Sequence, residues 1–413
     1  MCGIAGLINY SCDQHETIKK SLFHRGPDEQ NSYKYKDISL IHTRLSIQDI
    51  FQGSQPMLIG DHVIIFNGEI YNHKNLRCKV ANHKFTTQSD TETLLALFIE
   101  YGVSALNDCD GMFAFAILNK KSNQLFLGRD RAGKKPLYFY NKDKSLVFAS
   151  ELNTLKIAIS NIKIDRKQIY SYIRNGFFYN DTTPYDYISE VIPGHIYTVN
   201  LKNLLIEKRC FFNYLDFYKK PKISNFEIAL KQVDISLHQS VKDRLLSSDL
   251  EVGAFLSGGI DSSLIVAIAS QYVKKLKTFT VKFDGGYDES KLARLTAEKY
   301  KTHHTELSIS MNLKNDIDNI LVNYGEPFMD SSAIPSFYVS REAKKHVTVV
   351  LNGDGADELF GGYRRYVPAA NGWLKLASNL SFLGSMAPIP KNKRSIYNYL
   401  YRMLKISTKT GLD

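Results

Sequence analysis

Apolar residues follow two different rhythms along this chain. Up to about residue 205 they come in short runs: His62–Phe66, Met112–Leu118, Gln124–Gly128 and Lys144–Ala149. Runs of this length, rich in branched and aromatic residues and bounded by polar turn clusters, predict strands. Asn119-Lys120-Lys121-Ser122-Asn123 joins two of them, so residues 112–128 are expected to form a hairpin. One helix is expected over about Thr91–Tyr101, with Ser89 and Glu92 at capping-box spacing. A second is expected at about 165–175, after Asp165. This pattern predicts stacked antiparallel sheets with helices outside.

From about residue 226 to 370 the rhythm changes to alternating strands and helices. Glu251–Leu256, Thr278–Phe283 and Val347–Leu351 read as strands. Ile260–Tyr272 and Glu289–Tyr300 read as helices, the first with a stripe of Ile260, Leu264, Ala267, Ile268 and Gln271. Strand–helix–strand alternation predicts a parallel sheet with helices on both faces. Residues 207–225, polar and aromatic with Pro221, are the expected junction, which divides the chain into domains 1–210 and 226–413. No internal repeat or low-complexity tract interrupts either part.

Composition adds bounds rather than an answer. Lys plus Arg number 53 against 42 Asp plus Glu, a formal charge of +11. The basic residues are scattered in twos and threes, with no long run or nucleic-acid motif, so a solvated surface that attracts anionic substrates is expected. The five cysteines, Cys2, Cys12, Cys78, Cys109 and Cys210, are odd in number and form no C-x-x-C pair. That suggests neither a disulfide framework nor a zinc site and suits a cytoplasmic location. No signal-peptide pattern and no apolar run near the ~20 residues of a membrane span is present. The stretch Trp373–Pro390 is moderately apolar but is interrupted by Lys375 and two prolines.

The candidate chemistry begins at Met1-Cys2-Gly3-Ile4. Cysteine is small enough to permit removal of the initiator methionine. The exposed α-amine, with a pKa near ~8, can then take the thiol proton and leave a thiolate nucleophile. Gly3 would allow close backbone approach to a substrate. The alternative is that Cys2 starts an edge strand as an inert residue. His24-Arg25-Gly26-Pro27-Asp28, Arg44-Leu45-Ser46-Ile47, Phe66 to Asn72, Ser89-Asp90-Thr91-Glu92 and Gly128 to Tyr138 follow in order. Together with Cys2-Gly3-Ile4 they resemble the class II, N-terminal-nucleophile glutamine amidotransferase domain over roughly the first 200 residues. The resemblance implies a four-layer αββα sandwich and a glutamine amide attacked by Cys2. It places oxyanion donors at Asn67 and Gly68, and glutamine-binding groups at Arg44, Glu69 and Asp90. Read without the resemblance, Asn67-Gly68 is a type I′ hairpin turn, Arg44 a surface arginine and Asp90 a helix cap. Arg25 and Asp28 are expected to shape the surrounding loop.

In the second half a strand runs into Ser257-Gly258-Gly259-Ile260-Asp261-Ser262-Ser263 and then a helix. Two glycines and a helix N-terminus form a phosphate cradle, but the lysine of a Walker A loop is missing. The segment resembles the PP-loop signature of ATP pyrophosphatases. Tyr287 to Ser290, His303 to Glu306, Gly325 to Pro335 and Leu351 to Tyr363 extend the resemblance. With the first half, the chain is similar to the glutamine-hydrolysing asparagine synthetase family to about residue 370.

That family resemblance implies a doubly wound PP-loop domain, ATP and Mg2+ as cofactors, and an aspartate carboxylate activated as β-aspartyl-AMP before ammonia displaces AMP. Leu256, Ser257, Gly258, Gly259, Asp261, Ser262, Val281, Asn352 and Gly353 would contact ATP. Asp261 and Asp357 would hold the metal, and Asp354 would serve the acyl-adenylate. Without the family, Asp354, Asp357 and Glu358 read equally as a solvated acidic loop. His303 and His304 read as strand-edge residues rather than metal ligands. Asn352 departs from the family's usual serine, and Asp354 is shorter than the glutamate of some members. Members also continue well past residue 413 with helices bearing a lysine that assists amide formation, so a truncated chain and a compact variant are both open. Glutamine and an acceptor carboxylate are the expected partners, with aspartate first. Amidation of a sugar acid, or glutaminase activity alone, are the alternatives. Neither nucleic acid nor membrane is expected, and a homodimer is compatible with the family.

Overall fold

The computed structural model describes the chain apart from residues 11–13, 284–289, 310–311, 364–365, 374–376, 378, 381–382, 384–385, 389–394 and 408–413. The segment Tyr287 to Glu289 therefore lies outside the described residues.

The early strands are β1 (Gly3–Ile8), β2 (Glu29–Tyr35), β3 (Ile38–Arg44), β4 (Met57–Ile59), β5 (His62–Ile70) and β6 (Gly111–Asn119). They are followed by β7 (Gln124–Arg129), β8 (Tyr138–Lys142), β9 (Ser145–Ala149), β10 (Ile188–Glu190), β11 (His195–Asn200) and β12 (Ile206–Cys210). Among them lie helices α1 (His15–Leu22), α2 (Asp90–Tyr101), α3 (Leu152–Ala158) and α4 (Arg166–Asn175). The strands form two six-stranded antiparallel sheets, ordered β10-β8-β9-β1-β3-β2 and β12-β11-β7-β6-β5-β4.

Alternation explains why the strands read as unbroken apolar runs. In β6, Ala114, Ala116 and Leu118 face the other sheet, clustering with its Ile4 and Leu40 and with Val63 and Ile65 of the neighbouring β5. Phe113, Phe115 and Ile117 point the opposite way, onto Leu94, Leu97 and Phe98 of α2. On the far side, Ala5, Leu7 and Ile41 pack under Ile18 and Leu22 of α1 and Leu152 and Leu155 of α3. Both faces of each sheet are covered, giving the expected four layers, helix–sheet–sheet–helix.

The second half carries α5 (Phe226–Leu246), β13 (Val252–Phe255), α6 (Ile260–Tyr272), β14 (Lys277–Phe283), α7 (Ser290–Tyr300) and β15 (His303–Ile309). Beyond them come α8 (Leu313–Tyr324), α9 (Ala333–Ala343) and β16 (Val349–Leu351). The sheet is parallel with order β15-β14-β13-β16. Helices α5, α6 and α7 cover one face through Val241, Leu245, Val266, Ala269, Ala293 and Ala297. Ala343 of α9 packs with Phe279 and Leu307 on the other. The parallel sheet with helices on both sides is as expected. His303 and His304 lie on the edge strand β15.

Four local expectations are corrected. The stripe in α6 is displaced: Ile260 is 86% and Leu264 44% exposed, while Ser262, Val266, Ile268 and Ala269 are buried. The helix starts beyond the end of β13, so its first apolar residue projects past the sheet. Strand β1 is interior, between β9 and β3, so Cys2 does not begin an edge strand. Asn67-Gly68 is not a turn but part of β5, paired with Ala114 and Phe113. The capping box is only half formed. Ser89 caps α2 by accepting from the Thr91 N–H, but Glu92 binds Thr86, Thr87 and His83 instead.

Among the described residues, hydrogen bonds join the halves at two places. Asp49 N–H donates to Asp249 Oδ2 at 2.7 Å, and Gln48 Nε2 to the Ser247 carbonyl at 2.9 Å. Elsewhere, Asn153 Nδ2 donates to the Val322 carbonyl at 2.7 Å and Tyr185 OH to that of Gly325 at 2.8 Å. Beside the second contact, burial and the charge of Glu190 push the Glu326 carboxyl from the usual 4.5 up to about 7. Folded chains then hold a proton that unfolded chains have released, so stability falls as pH rises from about 4.5 to about 7. Glu326→Gln should therefore raise stability at pH 8, on the order of 1 kcal/mol once its partial exposure is discounted, and much less at pH 5. Thermal melts at the two pH values check this, and equal shifts would exclude Glu326 as the titrating group. Among the described residues, no helix is long and apolar enough to cross a membrane.

Candidate functional site

Strand alternation assembles the first constellation. Ile4 and Ile8 of β1 face the space between the sheets, and Cys2 is in phase with them. Ile38 and Leu40 of β3 face it too, with Arg44 in their phase. On β5, Val63 and Ile65 carry the phase to Asn67 and Glu69. The register sets Gly3 opposite Thr43, which brings Cys2 beside Arg44. His42 Nε2 lies 3.2 Å from the Phe66 carbonyl and ties β3 to β5. Packing by itself demands glycine at residue 3, since a Cβ there would lie 2.6 Å from Thr43 Oγ1 and 3.0 Å from Leu22 Cβ.

Cys2 is held by its main chain. Its carbonyl accepts from Arg25 Nε at 3.0 Å, and Arg25 Nη1 donates to Glu151 Oε1 at 2.9 Å. Asp28 Oδ2 accepts from the Ser46 N–H at 2.7 Å. Both residues thus shape the loop. The thiol lies 3.8 Å from the Leu45 carbonyl. Burial pushes the Cys2 thiol up, while the Leu45 contact, the chain's amino terminus, Lys135 and Arg44 pull it back. Burial also lowers the terminal amine of Met1 to about 5.

Asn67 stands out. It is fully buried, and neither Nδ2 nor Oδ1 has a hydrogen-bond partner. An unsatisfied buried polar group costs ~1–3 kcal/mol, which an apolar residue would avoid. Around it are two buried carboxylates. Glu69 accepts from Ser247 Oγ at 3.1 Å, and burial raises its carboxyl. Asp90 accepts from the Ile70 N–H at 2.8 Å, and burial together with the Glu69 charge pushes it up to about 7. Asp90 is therefore not the helix cap. Nor is Arg44 a surface residue: 5% exposed, it donates to the carbonyls of Gln48, Asp49 and Ile50 and to Glu29.

One buried group went unnoticed in the sequence. Lys135 is 4% exposed, and burial lowers its ammonium to about 8 among Glu69, Arg25, Cys2 and Asp130. Its position follows from Asp130, whose carboxylate accepts from the N–H groups of Phe113, Ala132, Lys134 and Lys135. The motif Gly128 to Tyr138 contains this loop, but spacing alone cannot separate Lys135 from Lys134.

Residues 1–210 match the family model of the glutamine amidotransferase domain, and residues 232–404 that of asparagine synthase. Over 380 residues the chain is 38% identical to glutamine-hydrolyzing asparagine synthetase 1 of Bacillus subtilis, covering 89% of this chain and 59% of that protein. Over 438 residues it is 33% identical to putative glutamine-hydrolyzing asparagine synthetase 2 of Methanocaldococcus jannaschii, covering 96% of this chain and 83% of that protein. The chain belongs to the glutamine-hydrolysing asparagine synthetase family. It spans 59% of the Bacillus relative's length.

The second constellation of this asparagine synthetase family member lies at the carboxyl ends of β14, β13 and β16, where open α/β sheets bind ligands. Gly258 adopts φ 85°, which favours glycine. The loop is braced internally: Ser262 Oγ is 3.0 Å from Ser257 Oγ and accepts from the Ser257 N–H at 3.2 Å. Ser262 thus serves the loop as well as any ligand. The first-turn N–H groups of α6, which lack partners inside the helix, open toward the sheet end. Leu256 is buried and receives Thr280 Oγ1 at its carbonyl, and Val281 lies on the adjacent strand. The loop after β16 closes on this cradle. A Cβ at Gly353 would lie 3.0 Å from Asp261 Cβ and 3.2 Å from Ser262 N. Asn352 Nδ2 donates to Asp354 Oδ2 at 2.7 Å, so the residue that replaces serine is bound to its acidic neighbour.

Asp261 lies in the first turn of α6 and Asp357 in the helical turn Ala356–Phe360 that follows the Gly353 loop, each offering carboxylate oxygens, the donors Mg2+ takes when substrate phosphates complete its shell. They fit that ion. Among the described residues, no group of three or more His, Cys, Asp and Glu could hold a metal alone.

Proposed function

We propose that this chain amidates a carboxylate, aspartate to asparagine, with ATP and with ammonia released from glutamine. Residues 1–210 act as the glutaminase domain and 226–413 as the synthetase domain. The observation that carries the first step is the fully buried, unpartnered Asn67 in phase with Cys2 across the gap between the sheets.

Once Met1 is removed, the Cys2 amine takes the thiol proton and the thiolate attacks the glutamine amide carbon. Asn67 Nδ2 and the Gly68 N–H hold the oxyanion; the Cys2 ammonium returns its proton to the departing nitrogen, so collapse expels ammonia and leaves a thioester that water hydrolyses to glutamate. Arg44 meets the glutamine carboxylate. Glu69 and Asp90 meet its ammonium, whose charge would draw the raised Asp90 carboxyl back down.

In the second domain, Leu256 and Val281 flank the nucleotide, with Ser257, Gly258, Gly259, Ser262, Asn352 and Gly353 at its phosphates and ribose. Asp261 and Asp357 would hold Mg2+, which when bound neutralises charge on a pyrophosphate leaving group. The aspartate carboxylate attacks the α-phosphate, pyrophosphate leaves, and ammonia then displaces AMP from β-aspartyl-AMP, with Asp354 beside the acyl-adenylate. The free thiols of Cys2, Cys78, Cys109 and Cys210 suit a reducing cytoplasm.

Product analysis tests this reading. Glutamine, aspartate and Mg-ATP should yield glutamate, AMP and pyrophosphate in equal amounts. ADP with phosphate would overturn the adenylation step. Pyrophosphate release with another carboxylate but not aspartate would overturn the acceptor.

A further inference from the structure

The glutamine site is not built from the first half alone. Ser247, which caps the carboxyl end of α5 in the second half, is 4% exposed. Its hydroxyl reaches Glu69 Oε2 at 3.1 Å. Its carbonyl accepts from Gln48 Nε2 at 2.9 Å, and the Gln48 carbonyl accepts from Arg44 Nη2 at 3.2 Å. Gln48 Oε1 also accepts from the Asp90 N–H at 3.3 Å. One residue of the synthetase half thus touches Glu69 directly and, through Gln48, the backbone that orders Arg44 and Asp90.

We propose that Ser247 is a positioning residue of the glutamine site, holding Glu69 and the Gln48 loop so that glutamine capture depends on how the synthetase half is seated. This rests on the reading of Glu69 as a glutamine-binding residue. The hydroxyl has a single proton and two acceptors, Glu69 Oε2 at 3.1 Å and the Arg244 carbonyl at 3.2 Å. An ionised Glu69 takes that proton, because hydrogen bonds to a charged acceptor are the stronger ones. Helix α5 links this point to the ATP cradle. Val241 and Leu245 pack against Val266 and Ala269 of α6, the helix that begins at the Ser257–Ser263 loop. Arg244, one turn before Ser247, lies 4.3 Å over the Tyr71 ring and fixes the rotation of α5 against the first half.

Ser247→Ala is expected to raise the KM for glutamine about tenfold, with kcat changed less than about twofold, since one hydrogen bond to a charged group is lost. It should also move the acid limb of kcat/KM to higher pH. Glu69 faces Lys135, Arg244 and the amino terminus, which favour its charge, and Asp90 and Tyr71 share its surroundings. Removing the hydroxyl leaves a carboxyl that burial already raises with less to hold it ionised. Ser247→Thr keeps the hydroxyl and should restore both values. Pyrophosphate release driven by ammonia should be unchanged in both variants. An unchanged KM and acid limb in Ser247→Ala, with Cys2→Ala inactive in glutamine hydrolysis, overturns the positioning role and leaves the glutaminase reading standing. Hydrolysis surviving in Cys2→Ala removes that reading itself. If Ser247→Ala loses ammonia-driven synthesis through misfolding, Ser247→Thr decides: a raised KM there also overturns the proposal.

Discussion

Cys2→Ala should abolish glutamine hydrolysis, lowering glutamate release by at least ~10³-fold, because among the described residues no other thiol shares its position. Cys109 is buried under α2, and Cys78 and Cys210 are exposed elsewhere. The fold should survive the change. The Cys2 side chain makes one weak contact, 3.8 Å to the Leu45 carbonyl, while Arg25 and β1 hold its main chain. Added ammonia should then bypass the loss and restore pyrophosphate release with aspartate and ATP. The measurement is the ratio of glutamine-driven to ammonia-driven turnover, with a thermal melt as control. Residual glutaminase activity above a tenth of the starting rate would falsify the assignment of the nucleophile.

Asn67→Ala should separate stability from activity. Removing an oxyanion donor typically costs ~10²–10³-fold in rate. Removing a buried amide that no group satisfies should not cost stability. Relief of a ~1–3 kcal/mol penalty offsets the packing lost with three side-chain atoms, so the thermal midpoint should hold or rise. An ordinary core residue would behave the opposite way, with a lower midpoint and nearly normal turnover. Measuring glutamine hydrolysis and melting on one preparation distinguishes the two. A midpoint that falls while hydrolysis persists would show that Asn67 is structural.

The sequence rhythm located elements wherever burial leaves a periodic or continuous signature. The hairpin β6–β7, helix α2, helix α4 behind Asp165 and helix α6 were all legible for that reason. Helix α5 was not: of its 21 residues only Val241 and Leu245 are buried, so no stripe marks it. The stripe in α6 failed at its first turn because apolar residues there extend beyond the sheet. Asn67-Gly68 misled because a dipeptide that favours turns sits within a strand, where pairing with β6 overrides local preference.

The candidate site was legible in a different way. Cys2, Arg44, the Asn67–Glu69 stretch and Asp90 are far apart in the chain, and only register and sheet stacking bring them to one edge. No local spacing encodes that, so the family motifs had to. Lys135 lay within a motif but without a reason to be chosen. Ser247 belonged to no motif, because its significance arises where the two halves touch.

The interior position of β1 has a practical consequence for handling the protein. The chain enters its sheet between β9 and β3, and residue 2 already lies in phase with the core between the sheets. An affinity tag fused ahead of Met1 would leave Cys2 without a free α-amine, the group that takes the thiol proton in the proposed mechanism. Recombinant material carrying such an extension would look well folded and still release no glutamate from glutamine. Assays therefore call for a native start, or a leader cut to leave Cys2 first.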